Sequence, residues 1–130
     1  LNAVFNQSNL TNFTLTKKEC IMTYLLLAVA VITEVTATML LKMSNGWEKW
    51  AFGYGAIFFY AISGMLFAMV LKNMGIGVAY AIWSGMGIAL ITAASVVFWK
   101  QTFDIYAVLG IMLIISGTLL ITSKSAVVFQ

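Results

Sequence analysis

The chain has no histidine and no proline, one cysteine, and only seven basic and four acidic residues among 130. Each scarcity excludes something. Charged residues make up 8% of the sequence, against roughly 25% in an ordinary soluble domain. That is too little polarity to coat a water-soluble globule or to keep a chain disordered. Cys20 has no second cysteine to pair with, which removes a cross-linked secreted scaffold. Without histidine or paired cysteine the usual zinc and haem ligand sets are missing, so no metal or cofactor is expected. The net charge of +3 comes from lysines scattered between apolar runs, and nucleic-acid binding has no footprint.

What is abundant is hydrocarbon, at 62% hydrophobic residues. Crossing a bilayer takes about 20 apolar residues per helix. Four runs approach or exceed that length, at about 23–41, 51–71, 76–99 and 105–121. Lys42, Lys49, Lys72, Lys100 and Lys124 punctuate them. The runs are continuously apolar rather than alternating, which argues against a membrane barrel. The connections are short, so consecutive helices must be antiparallel neighbours. The fold class predicted is an all-α membrane protein with four transmembrane helices in one domain, residues 22–130.

Residues 1–21 differ: they are rich in Asn and Thr and lack an apolar stripe. They are expected to be a poorly structured extension that is not native, with the natural start at Met22. Codons for Lys17-Lys18-Glu19 are compatible with a purine-rich ribosome-binding site. The patterns at Asn6, Asn9 and Asn12 match glycosylation acceptors, but such patterns are common in Asn/Thr-rich sequence. Lys17, Lys18 and Ala28-Val29-Ala30 also have the layout of a signal peptide. The apolar run continues to Leu41, as a retained helix requires.

Glu19, Glu48 and Asp104 fall in the tail or loops, and only Glu34 falls deep inside a span. A carboxylate in hydrocarbon costs several kcal/mol and ordinarily faces a bundle interior on a transport path. The structural alternative is a neutral acid hydrogen-bonded to a neighbour. Ala30, Val31, Ala37 and Thr38 lie one helical turn from Glu34 on its face. Such small residues leave room for a ligand or allow close helix packing, and one helix does not separate the two. Low dielectric disfavours the ionised carboxylate, so a proton and a cation are expected to compete for it.

Trp47, Trp50, Trp99, Tyr24 and Tyr106 sit at span ends, where interfacial aromatics belong. Trp83 lies well inside the third run, with Tyr80, Ser84 and Gly87 on its face. An aromatic face near a carboxylate suits a lipophilic cation, although core packing would also use these rings. Tyr60, with Ser63 and Phe67, is a second candidate of this kind. Gly85 and Gly87 would permit a bend in the third span. Gly110 and Gly117, seven apart, notch one face of the fourth for a partner helix.

Counted from Met22, the amino-terminal side carries Lys72 and Lys124, and the other side Lys42, Lys49 and Lys100. So small a bias predicts insertion in both orientations. Retaining Lys17 and Lys18 would reverse the preference. Two oppositely inserted copies would enclose both Glu34 side chains in one chamber, which predicts an antiparallel homodimer.

The segment Gly77-Val78-Ala79-Tyr80-Ala81-Ile82-Trp83-Ser84-Gly85-Met86-Gly87-Ile88 resembles the signature of the small multidrug resistance family. Thr33-Glu34-Val35 followed by Leu41-Lys42-Met43-Ser44-Asn45-Gly46 is similar to its first helix and loop. Gly110-Ile111-Met112-Leu113-Ile114-Ile115-Ser116-Gly117 resembles its fourth-helix dimerisation face. The likeness covers residues 22 to about 123. It implies a proton-coupled exporter of quaternary ammonium and other lipophilic cations, working as an antiparallel dimer in a bacterial inner membrane.

By position, the resemblance makes Glu34 the shared proton and substrate site. It puts Tyr80 and Trp83 on the chamber wall, with Tyr60, Ala30, Thr38 and Ser63 nearby. It makes Gly85 and Gly87 the bend, and Gly110 and Gly117 the dimer contact. The chain departs from common members at Gly75, where a proline is usual, and at Gly64, where a bulky residue is frequent. Thr36-Ala37 follows the glutamate in place of the tryptophan typical of the guanidinium-exporting branch. The alternatives are that branch, a non-transporting partner subunit of a paired transporter, and a small dual-topology ion channel. A lone intramembrane carboxylate with no base or nucleophile beside it does not suggest an enzyme.

Overall fold

In a computed structural model the described residues are 2–124, with side chains described over 17–123. They form four α-helices: α1 (Asn2–Met43), α2 (Trp50–Val70), α3 (Ile76–Trp99) and α4 (Ile105–Lys124). Four segments are long and apolar enough to cross a membrane: Lys17–Met43, Trp50–Val70, Ile76–Trp99 and Ile105–Ser123. These match the four runs of the sequence. α1 runs back through the amino-terminal segment expected to be poorly structured. No glycine or proline precedes Gly46, so no residue there breaks the helical hydrogen-bond ladder. The side chains of Asn6, Asn9 and Asn12 lie outside the described residues.

The helix ends follow local chemistry. Asn45, Gly46 and Trp47 all have positive φ, the left-handed conformation that terminates a helix. Buried Ser44 closes the turn, donating its hydroxyl to the Leu41 carbonyl at 2.7 Å and accepting the Lys49 N–H at 2.9 Å. Asn45 donates to the Glu48 carboxylate, so this loop acid is engaged locally. α3 ends at Lys100, also left-handed, whose N–H reaches the Ser95 carbonyl. Asp104 accepts the Ala107 N–H at 2.8 Å, a side-chain cap for α4.

α1 packs against both α2 and α3, and α3 carries α4. The α1–α2 seam is built from small residues. Ala30, Val31, Ala37 and Ala56 are fully buried, and Ser63 donates to the Ala30 carbonyl at 2.8 Å. Small side chains let helix backbones approach where no water is available to drive association. A second cluster at the α2–α3 turn joins Leu27, Val70, Met74, Val78, Ala79 and Ile82. There Asn73 donates to Thr23 at 3.3 Å, and Thr23 donates to the Glu19 carbonyl at 2.9 Å. α4 has no buried residue along its span.

Candidate functional site

A cavity of about 260 Å³ lies between α1 and α3. Glu34, Val35 and Thr38 line it from α1, and Tyr80, Trp83, Ser84, Gly87, Ile88 and Ile91 from α3. The helical period places them there, because residues three and four apart share a face. Glu34 is half-buried. Its carboxylate has no hydrogen-bond or ion-pair partner among the described residues, so none of them holds it as a neighbour-bonded neutral acid.

The Thr38, Tyr60 and Ser84 hydroxyls near it are already committed. Thr38 donates its one proton to the Glu34 main-chain carbonyl at 3.0 Å. The Tyr60 hydroxyl, 2.9 Å from Thr38 Oγ1, must therefore be the donor in that pair. Ser84 donates back to the Ala81 carbonyl at 3.2 Å. The side chains facing the cavity thus offer one carboxyl group and the Tyr80 hydroxyl among aromatic and aliphatic surfaces. That combination favours a cation with a large apolar surface.

Three rings from two helices form the aromatic wall. Phe67 of α2 stacks on Trp83, with centroids 4.6 Å apart and planes 23° apart. Tyr80 stands edge-on to Trp83 at 5.4 Å and to Phe67 at 6.4 Å. The indole N–H of Trp83 is buried without an acceptor among the described residues. A second cavity of about 170 Å³ shares Thr38 and Ile91 with the first and extends to Lys42, Ser95, Trp99 and Gln101. Among the described residues no group of metal ligands assembles.

The site residues expected from sequence separate into three groups. Glu34, Thr38, Tyr80, Trp83 and Gly87 meet at the cavity, and Tyr60 reaches it through Thr38. Ala30 and Ser63 do not line it; they form the α1–α2 seam. Gly85 lies in an unbroken α3, and a Cβ there would collide with the Thr118 hydroxyl of α4. It is therefore a point of close helix contact. Gly110 and Gly117 have no atom within 4 Å of where a Cβ would stand, so their notched face is open in a single chain. Ile88 and Ile91 escaped the sequence reading, although they continue the Tyr80–Ser84–Gly87 stripe. The stacking of Phe67 on Trp83 had no sequence signal, because it joins different helices.

The family model described as Small Multidrug Resistance protein matches residues 22–114. Among curated relatives, the multidrug transporter EmrE of Escherichia coli strain K12 is 42% identical over 102 residues, covering 78% of this chain and 93% of the relative. The quaternary ammonium compound-resistance protein QacE of Escherichia coli is 39% identical over the same shares. An uncharacterized membrane protein, YvaE of Bacillus subtilis, is 38% identical over 96 residues, 74% of this chain and 81% of that protein.

Proposed function

The chain belongs to the small multidrug resistance family, and on that premise we propose that it exports lipophilic and quaternary ammonium cations in exchange for protons across a bacterial inner membrane. The observation that carries the reading is the unpartnered Glu34 carboxylate on a cavity walled by Tyr80 and Trp83. Relatives named for quaternary ammonium resistance and multidrug transport support drug efflux as the activity.

The chemistry follows from one site serving two ligands. An ionised Glu34 holds the cation by charge, while the rings supply apolar area and a negative quadrupole. A proton arriving at the same oxygen removes the counter-charge, and the cation then lacks its strongest attraction. Occupancy by both at once is disfavoured, so movement of one is exchanged for movement of the other.

We further propose that the working unit is an antiparallel homodimer. Glu34 is only half-buried in one chain, and Tyr80 is 56% exposed. A second, inverted copy would cover both, and the open Gly110 and Gly117 notches on unburied α4 suit such a contact. Glu34, Tyr80, Trp83, Thr38 and Tyr60 would then bind ligand, with Ala30 and Ser63 supporting α1 behind them and Gly85 and Gly87 governing how α3 moves.

Proteoliposomes carrying a proton gradient and a labelled quaternary cation test this. Wild type is expected to accumulate the cation only with the gradient, and Glu34→Gln to bring uptake to the level of empty liposomes. Gradient-driven uptake by Glu34→Gln would overturn the assignment.

A further inference from the structure

We propose that Phe67 is a positioning residue that tunes selectivity between planar aromatic and compact aliphatic cations, by holding the Trp83 indole in one orientation on the cavity wall. This rests on the export reading above. Trp83 offers the largest flat surface on the cavity, and its side chain turns about two bonds. The indole is nevertheless held from two sides. Phe67 covers one face at 4.6 Å in a near-parallel stack, and Tyr80 meets it edge-on at 5.4 Å.

The indole N–H identifies what sets that orientation. It is buried and has no acceptor among the described residues. An indole free to turn would direct this donor toward an acceptor, so ring packing, not hydrogen bonding, determines how it sits. Phe67 comes from α2 and does not line the cavity, whereas Trp83 and Tyr80 from α3 do. Its effect on a ligand must therefore pass through the two rings it touches, chiefly the stacked Trp83 at 4.6 Å and, edge-on at 6.4 Å, Tyr80.

The two classes of cation read this wall differently. A planar aromatic cation gains contact area and quadrupole attraction only against a ring held at a matching tilt. A compact tetraalkylammonium has no plane to align and is held chiefly by the charge of Glu34. Loosening the indole should penalise the first class and spare the second.

The test measures affinities of full-length protein in detergent for ethidium, as the planar probe, and tetrapropylammonium, as the compact one. Phe67→Leu is expected to weaken ethidium roughly five- to tenfold, the scale of one aromatic pair. The tetrapropylammonium affinity should change less than about twofold, and Phe67→Tyr should restore the wild-type ratio. A proportional loss for both probes, or none for either, would overturn the role of Phe67. If Phe67→Leu does not fold, Phe67→Tyr and Phe67→Met provide the same ratio from retained and lost aromaticity. Wild type that binds neither probe would instead bring down the export reading and this inference with it.

Discussion

At the scale of single residues, the division between Glu34 and its neighbours decides the chemistry. On the proposed exchange, in which a proton and a cation share one carboxylate, cation binding should tighten as pH rises through the range in which Glu34 loses its proton, then level off. Protons should be released into weakly buffered solution as the cation binds. Calorimetry in buffers of different ionisation enthalpy checks this, and pH-independent affinity would contradict it. Ser63 makes a different prediction. Its hydroxyl is buried and bonds the Ala30 carbonyl across the seam. Ser63→Ala should cost about 0.6 kcal/mol, and no more than about 1.7, judging by comparable bonds between membrane helices. Reversible unfolding in mixed micelles measures that loss, with ligand selectivity expected to stay unchanged. Glu34 was legible in the sequence because an acid in hydrocarbon needs a reason wherever it points. Ala30 was not, since small residues serve ligands and helix packing equally, and only the facing helix separates the two.

At the scale of elements, α3 mediates between the cavity and α4. Tyr80, Trp83 and Gly87 face the cavity, while Gly85 faces Thr118, which also donates to the Ala81 carbonyl at 3.3 Å. Gly85→Ala should therefore push α4 away and destabilise the protein by about 1–3 kcal/mol, the usual cost of overpacking. Thr118→Ala in the same chain should recover part of that by removing the colliding Oγ1 and Cγ2. Thermal unfolding of the single and double variants checks this; equal stability of Gly85→Ala and wild type would contradict it. Gly87→Ala meets no atom within 4 Å and should leave stability nearly unchanged. The sequence shows both glycines as weak points of one helix. Which of them a neighbour occupies depends on how α4 crosses α3, and no periodicity within α3 encodes that.

At the scale of the whole molecule, a single chain leaves much unfinished. α4 has no fully buried residue along its span. Its exposed Leu109, Met112, Leu113 and Leu120 would rest equally well against lipid or protein. The proposed antiparallel dimer predicts that copies occupy both orientations, because the lysine count is nearly balanced. With Cys20 replaced by serine, single cysteines placed near Lys72 or Lys100 should each be labelled partly from outside and partly from inside in intact cells. Labelling from one side alone would rule out an inverted pair. On the proposed dimer, Gly117→Leu should shift the protein to monomers in dilute detergent, read by light scattering, since the added side chain would fill the notch assigned to the partner.

Membrane character, four spans and their approximate ends, and the isolation of Glu34 were determined by sequence alone. They depend on local quantities: the length of an apolar run, the lysines and glycines that end it, and the cost of one charge in hydrocarbon. Tertiary structure decided the rest. It moved Ala30 and Ser63 into a seam, set Gly85 against Thr118, and laid Phe67 on Trp83. Each of these is an encounter between helices, and it depends on crossing and rotation that apolar residues on every side leave open.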